Sequence, residues 1–242
     1  GSVGDDDYGR MIYQLLDQNN IQHTLMTSTL STTTLKIRAV ANKRQLIRLD
    51  FDNKHCSPVD LVAFQNQLTH SDIVLVSDYG KGVLNEIDGI INLSNAAKKR
   101  VLIDPKGSFE KYHNAYLISP NKSELRSEIG TWSSEHELEQ KVFLLLERIN
   151  VEAILLTRSE EGMTLFTRNK EAISIPSIAR EVFDVSGAGD TVLAFVALGL
   201  GSGLSLVESM LLSNIAAGIV VGKFGTASLT LEELLKALEA MS

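Results

Sequence analysis

Ile73-Val74-Leu75-Val76-Ser77, running into Asp78-Tyr79-Gly80-Lys81-Gly82, decides how the rest of the chain is read. The apolar run is too short for a core helix and does not alternate with polar residues. It suits a strand buried on both faces of a parallel sheet. The same pattern recurs at Val101-Leu102-Ile103-Asp104, Ala115-Tyr116-Leu117-Ile118-Ser119 and Ala153-Ile154-Leu155-Leu156-Thr157, with helical stretches between some of the runs. The expected class is α/β, with a mostly parallel sheet flanked by helices. Each run ends in loop-forming residues: Asp78 to Gly82, Pro105-Lys106-Gly107, Pro120-Asn121-Lys122-Ser123-Glu124, and Arg158-Ser159-Glu160. Ligands of open α/β sheets bind at the carboxyl ends of the strands, so these loops are the site candidates.

Outward from that frame, a helix is expected from about Asp5 to Asn19, and Gly1-Ser2 reads as a remnant of expression. Leu35 to Val40 and Leu46 to Asp52 alternate apolar with charged residues around Asn42-Lys43-Arg44. This predicts a half-solvated hairpin within residues 33–52, usable as a flap. A second hairpin is expected from Met163 to Pro176, turning at Asn169-Lys170. The remainder is helix-rich, from Asp190 through Val221 and again from Leu231 to Ala240, where Thr230 is placed as an N-cap.

The 242 residues, 44% of them hydrophobic, fit one large core, and no spacer divides them; a single domain over 1–242 is expected. With 23 basic against 30 acidic residues the formal charge is −7, and no basic stripe interrupts it, which argues against nucleic acid. Apolar runs such as Val192 to Leu200 are too short to span a bilayer. The single cysteine, Cys56, and the absence of a leader fit a cytoplasmic location. His23, His55, His70, His113 and His136 lack zinc-ligand spacing, and no G-x-x-x-x-G-K-[ST] cradle occurs.

Asp184-Val185-Ser186-Gly187-Ala188-Gly189-Asp190-Thr191 places small residues between two acids. A helix starting near Ala188 or Gly189 would leave the amides of Gly187, Ala188 and Gly189 unpaired at its positive end, an anion hole that a phosphate can approach closely. Asp190 would repel an anion in that hole; pointed at a hydroxyl nucleophile, it would accept the proton of a phosphoryl transfer. The plainer alternative is a glycine turn with an acid complementing the helix dipole.

With Asn121-x-x-Glu124 preceding it in the chain, this stretch resembles the DxxGAGD and N-x-x-E signatures of the ribokinase-like (PfkB) carbohydrate kinases. The match is closer still to the branch that phosphorylates D-glycero-β-D-manno-heptose 7-phosphate. It is carried by Lys36-Ile37-Arg38, Gln45 to Phe51, Ser77 to Gly82, Ile103 to Gly107, Thr157 to Met163 and Ala216 to Lys223. The resemblance implies a ribokinase-like sandwich with a small β lid, and N-terminal strands with a Gly-Gly sugar loop that residues 1–242 do not contain. It implies ATP with Mg²⁺, a sugar phosphate phosphorylated at its anomeric hydroxyl for ADP-heptose and lipopolysaccharide core synthesis, and a homodimer.

By the same resemblance Asp190 is the catalytic base, and Asn121 and Glu124 organise Mg²⁺, directly or through water, among hard oxygen ligands. Lys122, Ser123, Thr157, Gly162, Asn214 and Gly218 fall in the nucleotide-binding segments. Each role has a structural alternative. Glu124 is equally a capping acid. Asn214 and Gly218 are explained as simply by helix packing. Asp78 either bonds sugar hydroxyls or closes its turn; Lys81 and Lys106 are either phosphate-holding charges or solvated loop lysines. Arg38, with Arg48, either reaches substrate phosphate or lines a solvated face. Asp184 either shapes its turn or faces a monovalent cation. Two other functions fit: a different ribokinase-like sugar or nucleoside kinase, and a nucleotide-binding or assembly module without turnover.

Overall fold

The computed structural model describes residues 1–41, 44–52, 56–179 and 182–240; Asn42 and Lys43, expected in the first hairpin's turn, and His55 lie outside the described residues. The chain forms two compact units, Gly1–Gln67 with Gly80–Ile90, and Leu68–Tyr79 with Ile91–Ser242.

In the first unit, β1 (Ser2–Gly4) pairs in parallel with β2 (Met26–Ser28) across α1 (Asp7–Gln18). Ser2 lies opposite Met26 in that ladder. Asp6 caps α1 by accepting from Gly9 N at 2.8 Å, and also accepts from Thr33 N and Thr33 Oγ1, both at 2.7 Å. The Thr33 backbone bond is the largest of the effects that hold the Asp6 carboxyl below its ordinary value. The expected hairpin is present as β3 (Leu35–Ala41) and β4 (Arg44–Phe51), with Leu35 opposite Phe51. It is not half-solvated as its alternation predicts. Ile37, Val40, Leu46, Ile47, Leu49 and Phe51 are exposed together with the charged positions, because a two-stranded ribbon has no second layer on either face. α2 (Leu61–Leu68) closes this part of the chain.

The second unit is built on one six-stranded sheet. β5 (Ile73–Ser77), β6 (Arg100–Asp104), β7 (Leu117–Ile118) and β8 (Ala153–Thr157) run parallel, while β9 (Met163–Thr167) and β10 (Ala172–Ile175) continue the same sheet antiparallel. The order is β10-β9-β8-β7-β6-β5. The α/β class and the mostly parallel sheet are as the apolar runs predict. Burial on both faces holds for β6, β7 and β8; β5 is an edge strand, and its Leu75 is 43% exposed.

Around the sheet stand α3 (Ile87–Ala96), whose second half belongs to this unit, α4 (Lys122–Ile129), α5 (Glu135–Arg148), α6 (Ala188–Gly201), α7 (Leu206–Val221) and α8 (Leu231–Glu239). One core joins Leu102, Leu117, Leu155 and Leu165 of the sheet to Val192, Val196 and Leu200 of α6 and Met210 of α7. α5 packs on β8 and β9 through buried Leu138, Val142, Leu145 and Leu146, with Phe143 edge-on to Phe166. The helix-rich end breaks between α6 and α7 at Ser202–Gly203, and Thr230 caps α8 as expected. Among the described residues, no helix is long and apolar enough to cross a membrane.

Candidate active site

The parallel strands of the second unit deliver acids to their carboxyl ends. Asp78 directly follows β5 and Asp104 ends β6, and Asp78 N donates to Asp104 O at 3.0 Å. Asn121 follows β7 and bridges to Thr157 at the end of β8, whose amide donates to Pro120 O at 3.0 Å. The expected loops therefore meet along one edge of the sheet.

Asn121 and Glu124 build a capping box at the start of α4. Asn121 Oδ1 accepts from Glu124 N at 2.9 Å, and Glu124 Oε2 accepts from Asn121 N at 3.0 Å. Capping uses one Glu124 oxygen; the other, Oε1, lies 3.7 Å from Lys106 Nζ. The capping and ligand readings thus draw on different atoms of one side chain. Lys122 pairs with Glu161 at 2.5 Å, and Ser123 is exposed on the first turn, its carbonyl accepting from Ser127.

α6 begins at Ala188, as the glycine-rich motif predicts, and Gly187 takes the left-handed N-cap conformation, φ 84°. Asp184 Oδ1 accepts from Ser186 N at 2.8 Å and so closes the preceding turn. α1, α4, α5, α7 and α8 are each capped by a side chain, whereas α6 has none. Within the expected hole, Ala188 N already donates to Val185 O at 3.2 Å, while Thr191 N and Oγ1 bond Gly187 O. A side chain at Gly189 would meet nothing within 4 Å, so backbone is open to a ligand there. Asp190 is exposed on the first turn of α6.

Asp104 feels three acids from other parts of the chain. Burial, then the charges of Glu124 and Asp190, push the Asp104 carboxyl from 3.8 up to about 7; Lys106 pulls it down and Asp78 adds to the rise. Asp104 was not among the residues singled out from the sequence, although it ends an apolar run as Asp78 nearly does. Tyr112 was missed as well. Its buried hydroxyl accepts from Lys106 N at 2.8 Å and donates to Asp78 Oδ2 at 2.7 Å. Lys111 Nζ reaches the same Asp78 oxygen at 2.6 Å. Burial, ahead of the neighbouring acids, raises the Tyr112 phenol well above its ordinary value and keeps it a donor. Lys111 and Tyr112 sit in a 3-10 turn, Phe109–Tyr112, which leaves no periodic signal.

The remaining expected residues separate by role. Gly162 has φ 91°, and a Cβ there would lie 2.1 Å from Ile175 O. Asn214 Nδ2 donates to Pro176 O at 2.9 Å, and a Cβ at Gly218 would lie 2.9 Å from Ile178 Cγ1. These contacts tie α7 to the segment after β10. Lys81 and Arg38 belong to the first unit. Lys81 pairs with Asp52 there, and Arg38 is exposed directly opposite Arg48, which pairs with Asp50 at 2.9 Å.

Hard carboxylate oxygens, a lysine and open helix-start amides suit a magnesium–nucleotide phosphate group. Among the described residues no three acid, histidine or cysteine side chains stand close enough to hold a metal by themselves. A cation here would therefore share its shell with water or ligand oxygens.

Residues 1–234 match the model of the pfkB family of carbohydrate kinases. The bifunctional protein HldE of Haemophilus influenzae is 40% identical over 245 residues, covering 99% of this chain and 51% of that protein. The D-beta-D-heptose 7-phosphate kinase of Bordetella bronchiseptica is 42% identical over 239 residues, covering 97% of this chain and 76% of that enzyme. The chain spans about half the length of the first of these relatives. Arabidopsis thaliana ribokinase, solved with ribose and ATP, superposes with a TM-score of 0.82 at 21% identity, covering 99% of this chain and 80% of that one. Escherichia coli phosphofructokinase-2 gives 0.82 at 16% identity with the same coverages. At such identities the two structures carry the fold alone.

Proposed function

The chain belongs to the pfkB family of carbohydrate kinases, and from that premise we propose that it transfers the γ-phosphoryl group of ATP to the anomeric hydroxyl of D-glycero-β-D-manno-heptose 7-phosphate. The observation that carries the proposal is the placing of Asp190, exposed at an uncapped helix start where its charge, like that of Glu124, raises the Asp104 carboxyl. Relatives at 40% and 42% identity, one bearing the name heptose 7-phosphate kinase, favour this sugar over a ketose phosphate or nucleoside.

In the proposed reaction the anomeric oxygen attacks the γ-phosphorus, the bond from that phosphorus to the bridging oxygen breaks, and ADP leaves. Asp190 takes the hydroxyl proton. The transition state is loose, so position matters more to this acid than basicity. Amides from Gly189 onward offer donors to the transferring group, with Gly187 setting the turn. Asn121 and Glu124, with Lys122, Ser123 and Thr157 beside them, form the nucleotide side; Gly162, Asn214 and Gly218 hold its framework. Mg²⁺ bound through Glu124 Oε1, water and nucleotide oxygens would neutralise phosphate charge. Asp78, committed to Tyr112 and Lys111, holds the Lys106 loop in place, leaving Lys106 for phosphate.

Arg38 and Arg48 face each other directly across the hairpin, an unfavourable juxtaposition that a bound phosphate would relieve. They are assigned, with Lys81, to the sugar's 7-phosphate. The apolar residues exposed on both faces of the hairpin support its pairing with a second copy as a homodimer. A reaction consuming ATP in the synthesis of ADP-heptose for lipopolysaccharide favours a bacterial cytoplasmic location.

The test is ADP release by the full-length protein with heptose 7-phosphate and a panel of fructose phosphates, ribose and nucleosides. Heptose 7-phosphate is expected to give the highest kcat/KM, and Asp190→Asn to lower kcat by about 10²–10⁴-fold, the usual contribution of a general base. Preference for a fructose phosphate would overturn the substrate; unchanged turnover in Asp190→Asn would overturn the base.

A further inference from the structure

At the amino ends of the parallel strands, opposite the acids, lies a hollow of about 410 Å³. Its cations are Lys98, Lys99, Arg100 and Arg168, against one acid, Glu152. Arg100 is the first residue of β6, Glu152 immediately precedes β8, and Arg168 immediately follows the antiparallel β9, which explains their convergence.

The charge is unusual for this chain, which carries a net −7 and, among its described side chains, ties more cations to carboxylates than it leaves unpaired. None of the four is ion-paired among the described residues. Two of the four are also held in place. The Arg100 guanidinium lies 5.0 Å from the centre of the Tyr116 ring. Arg168 donates to Asn150 Oδ1, Asn150 donates to Asn114 Oδ1, and Asn95 Nδ2 donates to Asn114 O at 3.0 Å. Lys98 and Lys99 follow α3, where positive charge complements the helix end. That does not account for Arg100 or Arg168.

We propose that this hollow binds an oligophosphate anion, a ligand with two or more linked phosphate groups. Two guanidinium forks held by neighbouring side chains, beside two ammonium groups, exceed what one phosphate needs, and both cation types suit phosphate oxygens. Arg100 already covers a face of Tyr116, so recognition falls on the phosphate chain rather than on a stacked base. The site is open to solvent, and its affinity is therefore salt-dependent.

Inorganic pyrophosphate, titrated calorimetrically into the full-length protein at low salt, is the probe, with hydrogen exchange read peptide by peptide. Binding is expected to protect segments 98–102, 114–117 and 150–153, and to weaken at least about tenfold in Arg100→Gln/Arg168→Gln, the cost of losing one or two charge-assisted contacts. If circular dichroism shows that variant unfolded, Lys98→Gln/Lys99→Gln, altering an exposed and a half-buried position after α3, is expected to weaken binding in its place. Protection confined to residues 186–190, or equal affinity in a folded variant, would overturn the proposal. Neither readout requires turnover, so the result stands apart from the kinase assignment.

Discussion

Asp104 shows how one half-buried acid can make folding depend on pH. Its carboxyl is pushed from 3.8 to about 7, chiefly by burial. Between those values the folded chain holds a proton that the unfolded chain has released, so stability falls as pH rises through the window; above about 7 the cost is complete. Asp104→Asn is therefore expected to raise the melting temperature at pH 8 and to flatten its dependence between pH 4 and 7. Thermal melts across that range check it, and an unchanged slope would mean that Asp104 is not the titrating group. Tyr112 makes a complementary case. Tyr112→Phe leaves Lys106 N and Asp78 short of a partner in a buried setting, at a cost of about 1–3 kcal/mol. For the proposed kinase, kcat is expected to fall with a smaller change in KM for ATP, because the Lys106 loop moves while Asn121 and Glu124 stay capped to each other. Steady-state kinetics on the folded variant, below its melting temperature, separate that from simple destabilisation.

At the scale of elements, the sequence was most legible where one local rule decides the outcome. β6, β7 and β8 follow from unbroken apolar runs, and the start of α6 follows from a glycine that must take positive φ. Legibility failed where a second layer decides. Alternation along Leu35 to Asp52 gives strands correctly but not the exposure of both faces, and the 163–176 hairpin gives no sign that it extends the main sheet. In the candidate site, the motifs point to Asp190, Asn121 and Glu124. Asp104 and Tyr112 could not, since their importance lies in contacts spanning many residues, such as Tyr112 with Asp78. Gly162 shows a locally read residue with a nonlocal reason: its backbone sits at φ 91°, and the next strand's end leaves no room for a Cβ. Gly162→Ala is expected to cost about 1–3 kcal/mol from strain alone and more from the clash with Ile175 O. Chemical denaturation should show a lower midpoint; an unchanged midpoint would mean that the β9–β10 junction relaxes freely.

Across the whole molecule, burial is unevenly divided. Fully buried side chains such as Ile103, Leu117, Leu155 and Phe166 all belong to the second unit, whereas the first ends in a ribbon with Leu46 70% and Phe51 53% exposed. An isolated two-stranded ribbon is marginal in water, and amides exchange fastest where few apolar contacts guard them. Hydrogen exchange is therefore expected to be slowest in β6, β8 and β9 and fast in β3 and β4 of the monomer. If the ribbon pairs two copies, protection of β3 and β4 should rise with protein concentration, while β6 and β8 stay unchanged. Ile47→Asp, which places a charge on the exposed apolar surface, should shift sedimentation from dimer to monomer and abolish that rise. A monomer at every concentration, or a dimer that survives Ile47→Asp, would remove the ribbon as the pairing surface.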